Sequence, residues 1–135
     1  SAGAIGRAPG RGAGAARSVL TIPDDPRRAL GDLIEIYDTG MREPLPLPIR
    51  TAHAWAEGWR SGPDRARKMA GWRWTSDKFP GEDAAPAHVR VWGAALPLGE
   101  LLAIDPMPGE DHHGTGSRLG ALAARVWLPL LGAIR

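Results

Sequence analysis

The chain has 135 residues, of which 43% are hydrophobic and 24% are charged, which is typical of one folded domain and not of a disordered segment. Seventeen basic and fifteen acidic residues leave a net charge of +2, so the total charge indicates neither a strongly basic nucleic-acid-binding protein nor a membrane-surface protein. Cysteine is absent, which excludes disulfides, thiolate metal sites and thiol nucleophiles. No apolar run approaches the roughly 18 residues of a membrane helix and no signal-peptide core is present, so we expect a cytoplasmic protein.

The N-terminal segment predicts a hairpin. Residues 4–8 and 18–22 are apolar and strand-prone, and the sequence PGRGAGAA lies between them. Such a glycine-rich loop can bind phosphate, but no Gly-Lys-Ser/Thr sequence follows it. We therefore interpret residues 1–17 as part of a hairpin that is partly flexible.

A helix is predicted over residues 25–39, with Asp24 or Asp25 as its cap and Gly40 as its stop. Four apolar side chains at i, i+3, i+4 and i+7 form a stripe that we expect to face the core, namely Leu30, Leu33, Ile34 and Tyr37. Three acidic residues are expected on the solvent side, namely Asp32, Glu35 and Asp38.

Three alternating prolines follow, at positions 44, 46 and 48, and predict an extended strap across the core. Thr51 is expected to cap a second helix, whose apolar stripe consists of Ala52, Trp55, Ala56 and Trp59. A third helix is predicted from Pro63 to about Trp74.

This third helix carries the candidate contacts to a partner or to nucleic acid, namely Arg65, Arg67, Lys68 and Arg73. Arginine beside Trp72 or Trp74 could stack nucleobases. The same pattern suits an amphipathic helix with a buried tryptophan and arginines that reach solvent, and this structural interpretation is favoured.

The remaining elements are a strand at residues 88–95, a short helix at 97–103, a loop at 105–117 and a terminal helix at 117–134. Seven apolar side chains share one stripe of the terminal helix, namely Leu119, Leu122, Ala123, Val126, Trp127, Leu130 and Ile134. We expect Ser117 to cap it, Pro129 to bend it and Arg125 to lie on its solvent side. Trp127 is expected to anchor the helix, so that Trp127→Ala unfolds the chain or prevents its assembly.

The one local pattern that suggests chemistry is Asp111-His112-His113, which matches the short signature of a phosphoesterase family. A metal site there would need further carboxylates, such as Glu82 and Asp83. The tripeptide lies in a turn-rich loop with no strand before it, so a solvated loop is the better interpretation. A nuclease set of two acids and a Glu-x-Lys lysine is also missing, since neither Lys68 nor Lys78 follows Glu-x. We expect no catalytic residue, no metal and no cofactor.

Residues 30–59, LGDLIEIYDTGMREPLPLPIRTAHAWAEGW, resemble the C-terminal domain of the RecC family, the gamma subunit of exodeoxyribonuclease V. The EPLPLP strap is the most specific motif, and the order of later motifs also matches: GED at 81–83, VRVWG at 89–93 and VWLPLL at 126–131. The resemblance runs from about Ala4 to the C-terminus, essentially the whole chain, so we expect one domain over residues 1–135. The arginine-rich, lysine-poor composition is similar to actinobacterial members.

This resemblance implies an α/β, restriction-endonuclease-like fold fragment that has lost its catalytic residues. We therefore expect a small sheet from residues 4–8, 18–22 and 88–95, packed by about four helices, with Tyr37, Trp55 and Trp127 as structural residues. It further implies a non-catalytic scaffold in the RecBCD helicase-nuclease of double-strand break repair, with RecB and RecD as partners and DNA bound through the whole complex. The alternatives are a metal-dependent nuclease or phosphoesterase, or a stand-alone nucleic-acid-binding module.

Overall fold

A computed structural model describes residues 2–6, 17–22, 24–76, 78, 80–93 and 96–133. Two strands, Ala2–Gly6 (β1) and Arg17–Thr21 (β2), come first. Six α-helices follow within the described residues: Pro26–Arg42 (α1), Ile49–Trp59 (α2), Pro63–Trp74 (α3), Pro86–Trp92 (α4), Leu98–Leu102 (α5) and Arg118–Ala133 (α6). One 3-10 turn, Glu82–Ala84, precedes α4.

The α/β fold expected from the sequence is wrong, because the described chain is essentially helical. β1 and β2 form an antiparallel pair with Ala2 opposite Thr21, and no further strand joins them among the described residues. The strand predicted at 88–95 is instead α4, which Pro86 begins at the first helical position and Gly93 ends at φ +79°. The predicted loop PGRGAGAA (9–16), residues 7–8 of the first predicted strand, residues 94–95 and Ile134 lie outside the described residues.

Helix α1 begins as predicted and ends later than predicted. The Asp25 carboxylate accepts a hydrogen bond from the Arg28 backbone N–H at 3.1 Å, so Asp25 is the N-cap. The helix continues past Gly40 and ends before Glu43, which takes an extended conformation at φ −148°. Pro44 explains this ending, because a residue that precedes proline is disfavoured in the helical conformation.

Helices α2 and α3 pack closely against each other, and small residues make this possible. A Cβ atom added at Gly58 would lie 2.5 Å from the Arg65 carbonyl oxygen and 2.7 Å from the Ala66 Cα. The two helices can therefore approach this closely only because position 58 lacks a side chain. The core beside this contact is rich in alanine and contains Ala52, Ala56, Ala66, Ala70, Ala123 and Ala124.

Large side chains fill the rest of this core. Trp74 is completely buried and donates its Nε1–H to the Leu96 carbonyl oxygen at 2.7 Å, which satisfies the one polar atom of the ring. Trp55 is also buried, as predicted, and its ring stacks on that of Trp59 at a centroid distance of 4.8 Å. Leu101 and Leu119 close the core from α5 and α6.

Helix α6 packs against four other elements of the described chain. It contacts α1, α2, α5 and β2. Ser117 caps it, since its Oγ accepts the Gly120 N–H at 3.5 Å, and Pro129 lies inside it. Its first eight residues, 118–125, are all buried. The prediction that Arg125 lies on the solvent side is therefore wrong.

Candidate interaction surfaces

The loop that contains Asp111-His112-His113 uses its carboxylate for structure. The Asp111 carboxylate accepts hydrogen bonds from the backbone N–H groups of Thr115 and Gly116, at 2.9 and 2.8 Å, and from the Thr115 hydroxyl at 2.9 Å. Partial burial alone would raise the pKa of Asp111, but these hydrogen bonds outweigh it and hold the pKa below its usual value. The carboxylate thus stabilises a tight turn before α6.

The other proposed metal ligands do not join Asp111. His112 and His113 are exposed, and Glu82 is used at the start of α2. The Glu82 carboxylate accepts the backbone N–H groups of Arg50 and Thr51, at 3.0 and 2.7 Å, and the Thr51 hydroxyl at 2.6 Å. No group of three metal-ligating side chains occurs in the part of the chain that the structure describes.

Glu82 also replaces the cap predicted for α2. Thr51 lies three residues into the helix and does not cap it, because α2 begins at Ile49. A carboxylate 31 residues later in the chain satisfies its first N–H groups instead. No local sequence signal predicts this contact, although the side chain is well suited to the positive end of a helix.

Two buried arginines of α6 connect it to acidic residues. Arg125, whose side chain is 4% exposed, donates to Asp32 at 2.9 Å and to Glu35 at 3.3 Å, both on α1. Arg118 donates to Glu110 at 3.2 Å and forms a close ion pair with Glu43. Burial alone would lower the pKa of Arg118, but its bonds to Glu43 and Glu110 raise it, so Arg118 stays charged.

The ion pairs of Arg125 show which side of α1 packs against α6. Because Asp32 and Glu35 face α6, the opposite side of the helix is exposed, and the predicted direction of its apolar stripe is wrong. We call this side the α1 apolar face, and it consists of Leu30, Leu33, Ile34, Tyr37 and Met41, whose exposed fractions are 59%, 41%, 52%, 65% and 70%. Tyr37 is therefore not a core residue of the described chain. Contiguous apolar surface of this kind commonly marks a site of protein contact.

Two of the four cations predicted as contacts on α3, Arg65 and Lys68, lie next to the ring of Trp72. Trp72 is 59% exposed, and the Arg65 guanidinium carbon and the Lys68 Nζ each lie 5.5 Å from the centroid of its ring. Arg73 is exposed but points about 100° around the helix from Trp72, and Arg67 lies near α5. We call Arg65, Lys68 and Trp72 the α3 cationic face.

Trp127 and His88 complete the set of notable aromatic positions. Trp127 is half-buried and its ring meets that of His53 edge-on at 4.8 Å. His88 is buried with its ring edge-on to Trp74 at 4.6 Å, and its Nε2 has no hydrogen-bond partner among the described residues. Burial lowers the pKa of His88, although Asp83 and Glu82 partly oppose this. A lone histidine such as His88 is usually a satisfied polar residue, and no sequence pattern indicates this burial against Trp74.

No helix of the described residues has the length and apolar character required to span a membrane.

Comparison with known proteins identifies the relatives of the chain. The family model of the RecC C-terminal domain matches residues 8–60. The RecBCD enzyme subunit RecC of Mycobacterium tuberculosis is 49% identical over 122 residues, which are 87% of this chain and 11% of that protein. The RecBCD enzyme subunit RecC of Mycolicibacterium smegmatis is 51% identical over 132 residues, which are 97% of this chain and 12% of that protein.

The predicted resemblance to the C-terminal domain of RecC is therefore confirmed. The chain spans about one-eighth or less of the length of these relatives. No solved structure matches it.

Proposed function

We propose that this chain is a non-catalytic interaction domain of a RecC-like subunit, and that it serves in a RecBCD-type helicase-nuclease of DNA repair and recombination. The observation that carries the proposal is identity of about one-half to mycobacterial RecC over 87–97% of the chain. Both relatives are named as subunits of the RecBCD enzyme. By the same similarity, the partners would be RecB-like and RecD-like subunits, the DNA would be bound by the whole complex, and the setting would be the cytoplasm.

The α1 apolar face supports a role in packing. Five apolar side chains on one side of a helix are 41–70% exposed in the described chain, while the acidic side of the same helix is held by Arg125. Burying apolar area of this kind stabilises an interface by about 25 cal/mol for each Å² removed from water. The face is thus suited to contact with the remainder of a longer subunit or with a partner subunit.

A catalytic role has less support. A phosphoesterase site would need Asp111 and Glu82 to be available to a metal ion, but each carboxylate accepts three hydrogen bonds from nearby protein groups. Metal binding would have to break those bonds and expose the N–H groups that they satisfy. The proposed domain therefore acts through its surfaces.

The test is co-purification of the full-length gene product with its RecB-like and RecD-like subunits. Leu33→Asp places a charge on the α1 apolar face, and we expect it to reduce co-purification at least about tenfold, because a desolvated, unpaired charge is strongly unfavourable in an interface. The same change in the 135-residue chain alone should leave its unfolding midpoint nearly unchanged, since Leu33 is already 41% exposed there.

Gly31→Asp is the matched control. It adds one carboxylate to the same helix at an exposed position, where an added Cβ meets nothing within 4 Å. We expect this variant to assemble like the wild type. Normal assembly of Leu33→Asp would contradict the assignment of the α1 apolar face to subunit packing.

A further inference from the structure

The proline strap continues the apolar surface of α1. Gly40 follows Leu33 by about two turns and therefore lies at the same edge of the α1 apolar face. A Cβ atom added at Gly40 would lie 3.2 Å from the Cδ1 atom of Leu45, so the Leu45 side chain packs against this edge. Leu45 thus connects the strap to the α1 apolar face.

Leu45 also lines an apolar groove between the strap and α4. We call it the strap groove, and its apolar walls include Leu45, Leu47, Pro48, Ile49, Val91 and Trp92. Ile49 is 71% exposed and Val91 is 49% exposed. Glu82 is the one charged side chain among the described residues that line the groove, and its carboxylate is already bound to the first turn of α2. The groove therefore offers apolar contact and no free charge.

The α1 apolar face and the strap groove form one continuous apolar surface through Leu45. Permanent interfaces are more apolar than transient ones, which carry more polar and charged groups. An apolar surface that stays uncovered also promotes aggregation. The occupant of this surface is therefore expected to be permanent and to be in place as soon as the subunit folds.

The remainder of the same subunit meets both requirements. The regions matched by this chain make up 11% and 12% of the two RecC relatives, so on the proposed function most of the subunit lies outside these 135 residues. A segment of the same polypeptide is held at a high effective concentration. It reaches the surface during folding, before a partner subunit is encountered.

We propose that an amphipathic helix from the remainder of the RecC-like subunit covers this surface, with its apolar side along the α1 apolar face and a large apolar side chain in the strap groove. From Leu30 to Met41 the apolar residues of α1 recur at three- and four-residue spacings, a pattern that matches the ridges of a second helix. The stripe is about 16 Å long, or three helical turns. This inference rests on the proposed function and deepens it, because it chooses the subunit's own chain over a partner subunit.

The experiment measures how fast a maleimide modifies single introduced cysteines in the full-length gene product, purified alone and with its RecB-like and RecD-like subunits. Leu33→Cys probes the α1 apolar face, and Val91→Cys probes the strap groove. The 135 residues contain no cysteine, so a labelled tryptic peptide from this region reports only the introduced residue. Each rate is compared with that of the same variant unfolded in guanidinium chloride.

We expect both cysteines to react at least about tenfold more slowly in the folded subunit alone than after unfolding, because the reagent reaches a covered side chain only through local opening. The partner subunits should not slow them further. Gly31→Cys and Gly99→Cys are the matched controls, since each is exposed, shares a tryptic peptide with one probe and has nothing within 4 Å of an added Cβ. The controls should react at similar rates in the folded and the unfolded subunit.

A charge in the strap groove tests whether one segment covers both places. Val91→Asp should speed the labelling of Leu33→Cys at least about tenfold in the subunit alone, because an unpaired charge in a desolvated interface is strongly unfavourable and should release the segment. Gly99→Asp adds the same charge at an exposed position of α5. This control should leave the labelling of Leu33→Cys unchanged.

Four results would overturn the proposal. Fast labelling of both probes in the subunit alone, with slow labelling in the complex, would assign the surface to a partner subunit. Slow labelling that becomes fast when the subunit is diluted about tenfold would assign it to a second copy. Fast labelling in both preparations would show that nothing covers the surface. Slow labelling of Leu33→Cys that persists with Val91→Asp would show that no single segment covers both places.

Failure of the proposed function is read separately, from the co-purification of Leu33→Asp. If Leu33→Asp fails to assemble while Leu33→Cys and Val91→Cys react fast in the subunit alone, the proposed function stands and this inference falls. If Leu33→Asp assembles normally, the assignment of the α1 apolar face to packing falls, whatever the labelling rates are.

Discussion

The ion pair between Arg125 and α1 offers the sharpest test of how this fold is held together. Arg125→Met removes the guanidinium but keeps most of the length and volume of the side chain, so the cavity it creates is small. Arg125 is 4% exposed at its side chain, while Asp32 is 31% exposed and Glu35 is 70% exposed. The substitution therefore separates the contribution of charge from that of packing.

The magnitude follows from these exposures. Removal of one partner from a fully buried pair costs about 3–5 kcal/mol, because the other charge stays buried and unpaired. Here both carboxylates remain partly hydrated, so that full penalty does not apply. The Glu35 contact is at the surface and contributes about 0–1 kcal/mol, and the Asp32 hydrogen bond contributes about 1.5–3 kcal/mol. Since methionine also avoids the desolvation of a guanidinium, we expect the free energy of unfolding to fall by about 1–3 kcal/mol.

Urea unfolding of the 135-residue chain, followed by tryptophan fluorescence, measures this change. Arg27→Met removes an exposed arginine from α1 itself and should change the free energy of unfolding by less than about 0.5 kcal/mol. Asp32→Asn, alone and with Arg125→Met, gives the coupling energy of the pair, which we expect to be about 1 kcal/mol or more. If Arg125→Met were as stable as Arg27→Met and showed no coupling to Asp32, the acidic side of α1 would not be what holds it to α6.

Three further predictions concern single positions in the same chain. Gly58→Ala should lower the free energy of unfolding by about 1–3 kcal/mol, measured in urea, because its Cβ would meet Ala66 at 2.7 Å and force α2 and α3 apart; a neutral result would contradict that packing. Asp111→Ala should cost about 1–2 kcal/mol at pH 7 through the lost bonds to Thr115. Folding lowers the pKa of Asp111, so the stabilisation by its carboxylate is present above about pH 4 and is lost as the pH falls through the folded-state pKa. The difference in stability between wild type and Asp111→Ala should therefore shrink in acid. A difference that stays constant with pH would contradict this role of the carboxylate. Burial lowers the pKa of His88, so the unfolded chain binds a proton at higher pH than the folded chain does, and the free energy of unfolding should fall as the pH drops below about 6.5. His88→Phe should reduce this dependence of stability on pH. An unchanged dependence would assign it to other groups.

Elements with strong local signals were predicted well from the sequence. The third helix was expected from Pro63 to about Trp74 and has those bounds, and the short helix near 97–103 is α5. Ser117 caps α6 as expected. Each of these depends on residues within a turn or two of one another, such as a proline at the first helical position or a serine before an apolar run.

The errors come from contacts between residues distant in sequence. Residues 88–95 alternate like a strand, but residues 86–92 form the helix α4, which buries His88 against Trp74 and does not join the β1–β2 pair. Likewise, α2 is capped by Glu82 and not by Thr51. In both cases the local pattern was ambiguous, and the contact that the structure shows is with a side chain 14 or 31 positions away.

Helix α1 shows a different kind of error. Its amphipathic pattern was recognised, but the face was assigned to the wrong environment, because hydrophobic periodicity shows that two sides of a helix differ and does not show which neighbour each side meets. In this chain the polar side meets α6 through Arg125, while the apolar side is exposed. An arginine buried between two carboxylates has the same sequence pattern as an arginine in solvent. Sequence alone therefore does not tell which side of α1 packs against α6. On the proposed function, a second protein surface buries the apolar side of α1, while Arg125 holds the acidic side. This is why the Leu33→Asp and Arg125→Met variants should differ in kind: the first should disturb assembly and leave the isolated chain folded, whereas the second should weaken the isolated chain itself.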